Sequence, residues 1–135
     1  MRNKELALDY IKRSEIRLLA IDTLFKEKGY ADVVRESQEV VELTLKALLR
    51  AHDIAIPRIH DVSSIIEDNK NSFAKITLEN IEFITSVSRS LRRDRELSFY
   101  GSEDLTPSEF YRKTDAELAK SQAAQVVEII KKAIL

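Results

Sequence analysis

The chain contains no cysteine and only two glycines, two prolines and two histidines. The absence of cysteine excludes disulfide bonds, thiolate nucleophiles and zinc sites built on thiolates. Two glycines as far apart as Gly29 and Gly101 cannot form a glycine-rich phosphate loop. Because glycine and proline interrupt regular structure, their scarcity predicts few interruptions and long secondary-structure elements.

The chain also lacks a charge excess of either sign. Its 135 residues include 22 Lys and Arg against 23 Asp and Glu, a formal net charge of -1. This balance removes the whole-molecule field that general nucleic-acid binders use to attract phosphates, so any anion site has to be local. The amino-terminal segment is charged every few residues and lacks the apolar run of a signal peptide or membrane span. We therefore expect a soluble, cytoplasmic protein. Because 135 residues is the usual size of one domain, we also expect a single domain over residues 1–135.

Apolar residues spaced by three and four positions predict helices at about 4–28, 30–52, 60–69 and 76–100, and a fifth from Pro107 to the chain end. Gly29 and Gly101 are predicted to follow the first and fourth helices as left-handed C′ residues. Thr106, Pro107 and Glu109 form a capping-box pattern for the fifth. The fold class predicted is all-α, an up-and-down four-helix bundle with an additional short helix.

The second helix carries apolar residues on more than one side, which suits a central position in the bundle. The other long helices each show one apolar stripe. The residues predicted to face the core there are Ala7, Ile11, Ser14, Leu18, Ile21 and Phe25, then Ile81, Ile84, Val87 and Leu91, and finally Ala119, Ala123, Val126, Ile130 and Ala133 or Ile134.

The two histidines, His52 and His60, bracket the connection between the second and third helices. This placement is a weak signal for a Ser-His-acid set, which needs a histidine within reach of a serine. The segment 52–61 also holds Asp53 and Asp61 but nothing that completes a metal ligand set. We favour a capping or packing role for His60 beside Asp61, and we predict neither a metal site nor a cofactor.

The most distinctive stretch is "SRSLRRDRELSFYG", residues 88–101, in which four arginines fall within seven positions. Helical spacing places Arg89, Arg93 and Tyr100 on one face, together with Ser86 and Leu97. The planar fork of arginine matches phosphate, so this face could hold a nucleotide or RNA phosphate. Acidic residues between the arginines, and the preference for basic side chains near a helix C-terminus, favour ordinary surface ion pairs instead. The composition leaves both interpretations open.

Two segments resemble the HEPN domain family: "RESQEVVELTLKALLRAHDI" in the second helix and "IPRIHDVSSII" at the start of the third. The resemblance covers essentially the whole chain. It implies a helical bundle of about this size, often dimeric, many of whose members are metal-independent ribonucleases. Other members bind nucleotides or accompany minimal nucleotidyltransferases in pairs of the toxin–antitoxin type.

Active members of that family carry, near the end of the fourth helix, an arginine, then a polar residue, then a histidine about five to seven positions after the arginine. A tyrosine follows that histidine by two positions in one subclass. The matching positions here are Arg93, Asp94, Ser98 and Tyr100, and no histidine occurs after residue 60. In such relatives the arginine stabilises the phosphate and the histidine moves protons, which a serine hydroxyl cannot do near neutral pH. The resemblance therefore implies a degenerate site that retains phosphate binding through Arg89, Arg93 and Tyr100.

The function predicted is binding of nucleotide or RNA phosphate without catalysis. Two alternatives stay open, a metal-independent, toxin-like ribonuclease with a degenerate site and an interaction module that only dimerises or docks a partner. The partners predicted are a second copy of the chain, with the ends of two fourth helices close together, and a minimal nucleotidyltransferase that modifies Tyr100.

Overall fold

The computed structural model describes residues 2–56, 58, 61–101 and 105–135, and all of their side chains except those of residues 96–99. Regular structure in these ranges is entirely helical, which confirms the all-α class. The helices are α1 (Arg2–Lys26), α2 (Tyr30–Ala51), α3 (Val62–Asp68), α4 (Leu78–Tyr100), α5 (Pro107–Phe110) and α6 (Lys113–Ile134), with a 3₁₀ turn at Lys70–Ser72. No helix in the described ranges is long and apolar enough to cross a membrane.

Helices α2 and α6 pack against each other across the core, with α1 and α4 on either side of this pair. The four long helices thus form the predicted up-and-down bundle. Because α1, α4 and α6 all cover α2, its second apolar side belongs to the core of its own chain. The breadth of that apolar surface therefore gives no evidence for a partner, and dimerisation remains a prediction.

The predicted core positions are largely confirmed. Leu18, Phe25, Ala133 and Ile134 are only partly buried and pack around the edge of the core. The fully buried ones are Ala7, Ile11, Ser14 and Ile21 in α1, Ile81, Ile84, Val87 and Leu91 in α4, and Ala119, Ala123, Val126 and Ile130 in α6.

The two glycines end their helices in different ways. Gly101 has φ +83°, as predicted, and a Cβ there would lie 2.7 Å from the carbonyl oxygen of Leu105. At the end of α1 the left-handed residue is Lys28, with φ +63°, whereas Gly29 has φ −81°. Gly29 instead donates its N–H to the Leu24 carbonyl at 2.8 Å. The prediction that Gly29 itself is the C′ residue was therefore wrong by one position, because this bond to Leu24 makes Gly29 the second residue past the helix.

The predicted fifth helix is in fact two helices. Thr106 is the N-cap of α5, as predicted, and its hydroxyl accepts the Glu109 N–H at 3.2 Å. The chain then becomes extended at Tyr111 and Arg112 before α6 begins. Asp115 marks this second start by accepting the Arg112 N–H at 2.8 Å. The break turns the Tyr111 side chain into the core, where 4% of its surface remains exposed.

Candidate functional site

An open groove of about 510 Å³ runs along the middle of α4, beside the residue that caps α3. We call it the arginine groove. Its lining residues are Asp61, Ser86, Arg89, Arg92 and Arg93. Two of the predicted binding residues, Arg89 and Arg93, therefore meet in one groove, whereas Tyr100 does not line it. The sequence analysis had not assigned Arg92 or Asp61 to the binding site.

Arg92 joins three helices. Its guanidinium lies 3.3 Å from a carboxylate oxygen of Glu42 on α2 and 3.2 Å from one of Asp61. Asp61 is also the N-cap of α3, where it accepts the Ser63 N–H at 3.1 Å. The groove wall is thus held by one arginine and two carboxylates, so an anion that binds Arg92 has to compete with Asp61.

Two other arginines of the cluster also have acidic partners. Arg89 forms an ion pair with Glu67 on α3. Arg95 lies 3.6 Å from Glu39 on α2, on the side of α4 that faces away from Arg93. The arginines thus form surface ion pairs, as one of the two interpretations expected, but their described partners come from α2 and from the α3 region and not from the acidic residues between the arginines.

Arg93 differs from its neighbours. Its side chain is exposed and, within the described part of the chain, it forms neither an ion pair nor a hydrogen bond. It also lines the groove. Of the four arginines, Arg93 is therefore the one whose charge can contact an incoming phosphate without first breaking an ion pair to a described residue.

Asp94 follows Arg93 in sequence, but its side chain bonds to Tyr111. Its carboxylate accepts a hydrogen bond from the Tyr111 hydroxyl at 3.0 Å. Burial, reinforced by the charge of Asp94, raises the pKa of the Tyr111 phenol well above its ordinary value, so the phenol remains a donor. Asp94 does not line the arginine groove. Asp94, the polar residue of the degenerate motif, therefore connects α4 to the extended segment between α5 and α6.

The remaining motif positions lie toward the end of α4. Helix α4 continues regularly through position 98 to Tyr100, but the Ser98 side chain lies outside the described part of the structure. Tyr100 is the last residue of the helix and 76% of its surface is exposed. At the helical rise, it lies about 10 Å beyond Arg93 along the axis. The predicted grouping of Tyr100 with Arg89 and Arg93 holds for the helix face but not for the groove.

The histidines offer little for catalysis in the described ranges. His52 lies with Nδ1 2.9 Å from the Leu48 carbonyl oxygen and packs edge-on against Phe73, at 4.9 Å between ring centroids. His60 lies outside the described residues. No group of three or more His, Cys, Asp or Glu residues in the described part of the chain could hold a metal ion.

Sequence reasoning missed Arg92 as a residue of the groove, and it missed the acidic residues that pair with the arginines. Arg92 could have been assigned to the groove from its spacing of three from Arg89. Glu42, Asp61 and Glu67 lie far from the arginines along the chain and carry no local signal, because only the packing of α2 and α3 against α4 brings them there.

Comparison with known proteins identifies the family. The HEPN domain model matches residues 7–133. A Methanocaldococcus jannaschii protein described as "Putative toxin MJ1304" is 33% identical over 128 residues, which span 90% of this chain and 84% of that relative. No solved structure matches the chain. The family match over nearly the whole chain, the identity with this relative and the all-helical bundle together show that the chain belongs to the HEPN domain family.

Proposed function

We propose that this HEPN protein binds the phosphate of a nucleotide or of RNA in the arginine groove and lacks ribonuclease activity. The observation that supports this proposal most strongly is Arg93, an exposed guanidinium without an acidic partner in the described structure, on a groove that Arg89 and Arg92 also line. The substitution of Ser98 for the motif histidine supports the absence of catalysis, because serine provides no proton carrier near neutral pH.

The ion pairs around the groove determine how an anion would bind. We expect a phosphate to contact Arg93 first. It can contact Arg89 or Arg92 only when that arginine releases its carboxylate partner and binds a phosphate oxygen instead. Such an exchange replaces one charge-assisted contact with another, so its net gain in free energy is small. We therefore expect most of the specific affinity to depend on Arg93.

Replacing Arg93 with alanine is expected to weaken binding of a fluorescein-labelled single-stranded RNA or nucleotide by about 1–3 kcal/mol, roughly 5- to 150-fold, the range for a hydrogen bond to a charged group. Fluorescence anisotropy at several salt concentrations measures the affinity of each variant. Because each phosphate contact on a single strand contributes about 0.7 to the slope of log affinity against log salt, the variant's slope should fall by about that amount.

The matched control is Arg95→Ala, which removes the same charge from the same helix but from the side that faces Glu39. Equal losses of affinity in both variants would show that the overall charge of the helix attracts the RNA and that Arg93 does not form a specific phosphate site. The thermal stability of Arg93→Ala should be nearly unchanged, because the side chain is exposed and has no described partner. A large drop in its melting temperature with unchanged binding would show that Arg93 is structural.

The proposal includes two protein partners, a second copy of the chain and a minimal nucleotidyltransferase. Tyr100 is the acceptor we propose for the transferase, because its ring is largely exposed at the last residue of α4. Transfer of the nucleotidyl group of ATP to its hydroxyl, with loss of the hydroxyl proton and release of pyrophosphate, would place a phosphate about 10 Å along the helix from Arg93.

Incubation with ATP and a nucleotidyltransferase encoded beside the gene is expected to add one nucleotidyl mass to the peptide that contains Tyr100. Peptide mapping by mass spectrometry measures this, and Tyr100→Phe is the matched control because it removes only the acceptor hydroxyl. Added mass on another residue, or the same mass on Tyr100→Phe, would exclude Tyr100 as the acceptor.

A toxin-like ribonuclease is the second candidate function, and the description of the M. jannaschii relative as a toxin favours it. Under that alternative, Arg93 would position the phosphate and the substrate's own ribose hydroxyl would attack it. Cleavage of labelled RNA by the unmodified protein in the presence of a chelator distinguishes this candidate from simple binding. An interaction module without an anion site is the third, and it predicts no salt-dependent RNA binding at all.

A further inference from the structure

The arginine groove contains hydrogen-bond acceptors as well as arginine donors. Asp61, at the start of α3, and Ser86, on α4, line it together with the arginines. A phosphodiester carries acceptors and a negative charge but no donor, so it can bond to the guanidinium groups and not to the Asp61 carboxylate. A ligand that uses all of these groups therefore needs a hydrogen-bond donor close to its phosphate.

Asp61 uses only one of its two carboxylate oxygens within the described part of the chain. Its Oδ1 accepts the Ser63 N–H at 3.1 Å and lies 3.2 Å from the guanidinium of Arg92. Its Oδ2 forms no hydrogen bond or ion pair with any residue that the structure describes. The side chain keeps 33% of its surface exposed. Oδ2 is therefore an acceptor on the groove wall that a ligand can reach.

Ser86 offers a second, weaker acceptor. Its hydroxyl donates to the Phe83 carbonyl at 2.9 Å, so its hydrogen is already in use while its lone pairs are exposed. Of the two acceptors, Asp61 forms the stronger bond to a ligand donor because it is charged. The bonds to Ser63 and Arg92 also hold its carboxylate in place.

We propose that Asp61 recognises the ribose 2′-hydroxyl beside a phosphate held by the arginines, so that the groove prefers RNA to DNA. This proposal rests on phosphate binding in the arginine groove. In the complex, Arg93 contacts the phosphate and the 2′-hydroxyl of the same nucleotide donates its hydrogen to Asp61 Oδ2. A deoxyribose lacks this donor, and its phosphate then lies near a carboxylate oxygen that nothing in the ligand satisfies.

Ribose fits the arrangement better than a base does. The 2′-hydroxyl is carried by the ring carbon next to the one that bears the 3′-phosphate, whereas the amino groups of the bases lie across the sugar from it. Asp61 Oδ1 is only 3.2 Å from Arg92, so a donor that reaches this carboxylate has to be close to the bound phosphate. The 2′-hydroxyl is also the group by which proteins distinguish RNA from DNA, and a carboxylate accepts it in many dinucleotide sites.

Fluorescence anisotropy with three fluorescein-labelled probes tests the preference. The probes are an oligouridylate, the oligodeoxyuridylate of the same length and the 2′-fluoro form, and all three share a base without an amino group. The wild-type protein should bind the ribose probe about 3- to 10-fold more tightly than either of the others, the range for one hydrogen bond in an open groove. The 2′-fluoro sugar keeps the pucker of ribose but cannot donate, so it separates hydrogen bonding from sugar shape.

Asp61→Ser tests the residue. Serine is as good an N-cap as aspartate, so α3 should remain folded, but the variant lacks the second carboxylate oxygen. It should bind the ribose and deoxyribose probes with affinities within about 2-fold of each other, and the deoxyribose probe at least as tightly as the wild type does, because a negative charge near the phosphate is gone.

The matched control is Glu67→Gln. It removes one negative charge from α3 and frees Arg89 from its ion pair, but Glu67 does not line the groove. This variant should keep the wild-type ratio between the ribose and deoxyribose probes. Ser86→Ala should also keep most of the ratio, because the stronger acceptor remains.

The outcomes separate this proposal from phosphate binding itself. Equal binding of the three probes that still depends on Arg93 would overturn ribose recognition and leave the phosphate site standing. Binding of none of them would overturn both. A preference for ribose that survives in Asp61→Ser, or that disappears in Ser86→Ala alone, would show that Asp61 is not the residue that reads the hydroxyl.

Discussion

The Ser98→His variant is expected to cleave RNA about 10²- to 10⁴-fold faster than the wild-type protein, which should show no cleavage above background. Imidazole supplies a proton carrier with a pKa near the working pH, and general acid–base catalysis contributes an acceleration of this size. Position 98 follows Arg93 by about 7.5 Å along α4, a distance that the long arginine side chain can span toward a shared phosphate. Cleavage of a labelled RNA in the presence of a chelator measures the rate.

Two controls connect this gain to the site. Ser98→Ala should stay inactive, because it changes the same position without adding a titratable group. Ser98→His combined with Arg93→Ala should lose most of the gain, since the phosphate would no longer be held. The rate of Ser98→His should also change with pH around the ordinary histidine pKa of about 6.5.

Robust cleavage by the unmodified wild type would contradict this prediction and favour the toxin-like ribonuclease. An inactive Ser98→His variant that still binds RNA would show that position 98 does not correspond to the histidine of active relatives. In that case the phosphate-binding proposal would stand and the proposed match with the family motif would not.

The second large effect is expected at Phe73, which is buried between the 3₁₀ turn and the end of α2. Only 2% of its surface is exposed, and its ring packs edge-on against His52. Phe73→Ala should lower the free energy of unfolding by about 3–5 kcal/mol, the usual cost of removing a buried phenylalanine ring. Chemical denaturation measures it.

Phe110→Ala is the matched control, because Phe110 lies on α5 with 41% of its surface exposed. The same truncation there should cost well under 1 kcal/mol, as for most surface substitutions. Equal losses at both positions would show that Phe73 does not secure the segment between α3 and α4. A selective loss at Phe73 would show that burial of this ring stabilises the segment between α3 and α4.

The sequence alone determined the helical class, the positions of the long helices and most of the core. Residues such as Ile81, Ile84, Val87 and Leu91 repeat at helical spacing, and few glycines and prolines interrupt them. The end of α4 could also be predicted from the sequence, because Gly101 can adopt a positive φ at low cost in free energy. The family was recognisable from the residues of the second and third helices.

Only the tertiary structure decided which arginine is available. Arg89, Arg92, Arg93 and Arg95 are alike in sequence, and they differ only in whether a carboxylate from α2 or α3 packs beside them. Such pairs join residues that are distant along the chain, so the spacing of residues within one helix cannot predict them. For the same reason, spacing placed Tyr100 on the face of Arg93 but could not show that Tyr100 does not line the groove.

The break at Tyr111 and the exposure of Leu8 and Leu19 on α1 were likewise decided by packing. Local capping signals predicted one helix from Pro107 onward, yet burial of the Tyr111 ring and its bond to Asp94 favour an extended turn there. Leu8 and Leu19 are as apolar as the core residues of α1, and their exposure follows from where α2 and α6 contact that helix. The sequence supplies the helices and their charges, whereas the way the helices pack determines which charges and which apolar faces remain for a partner.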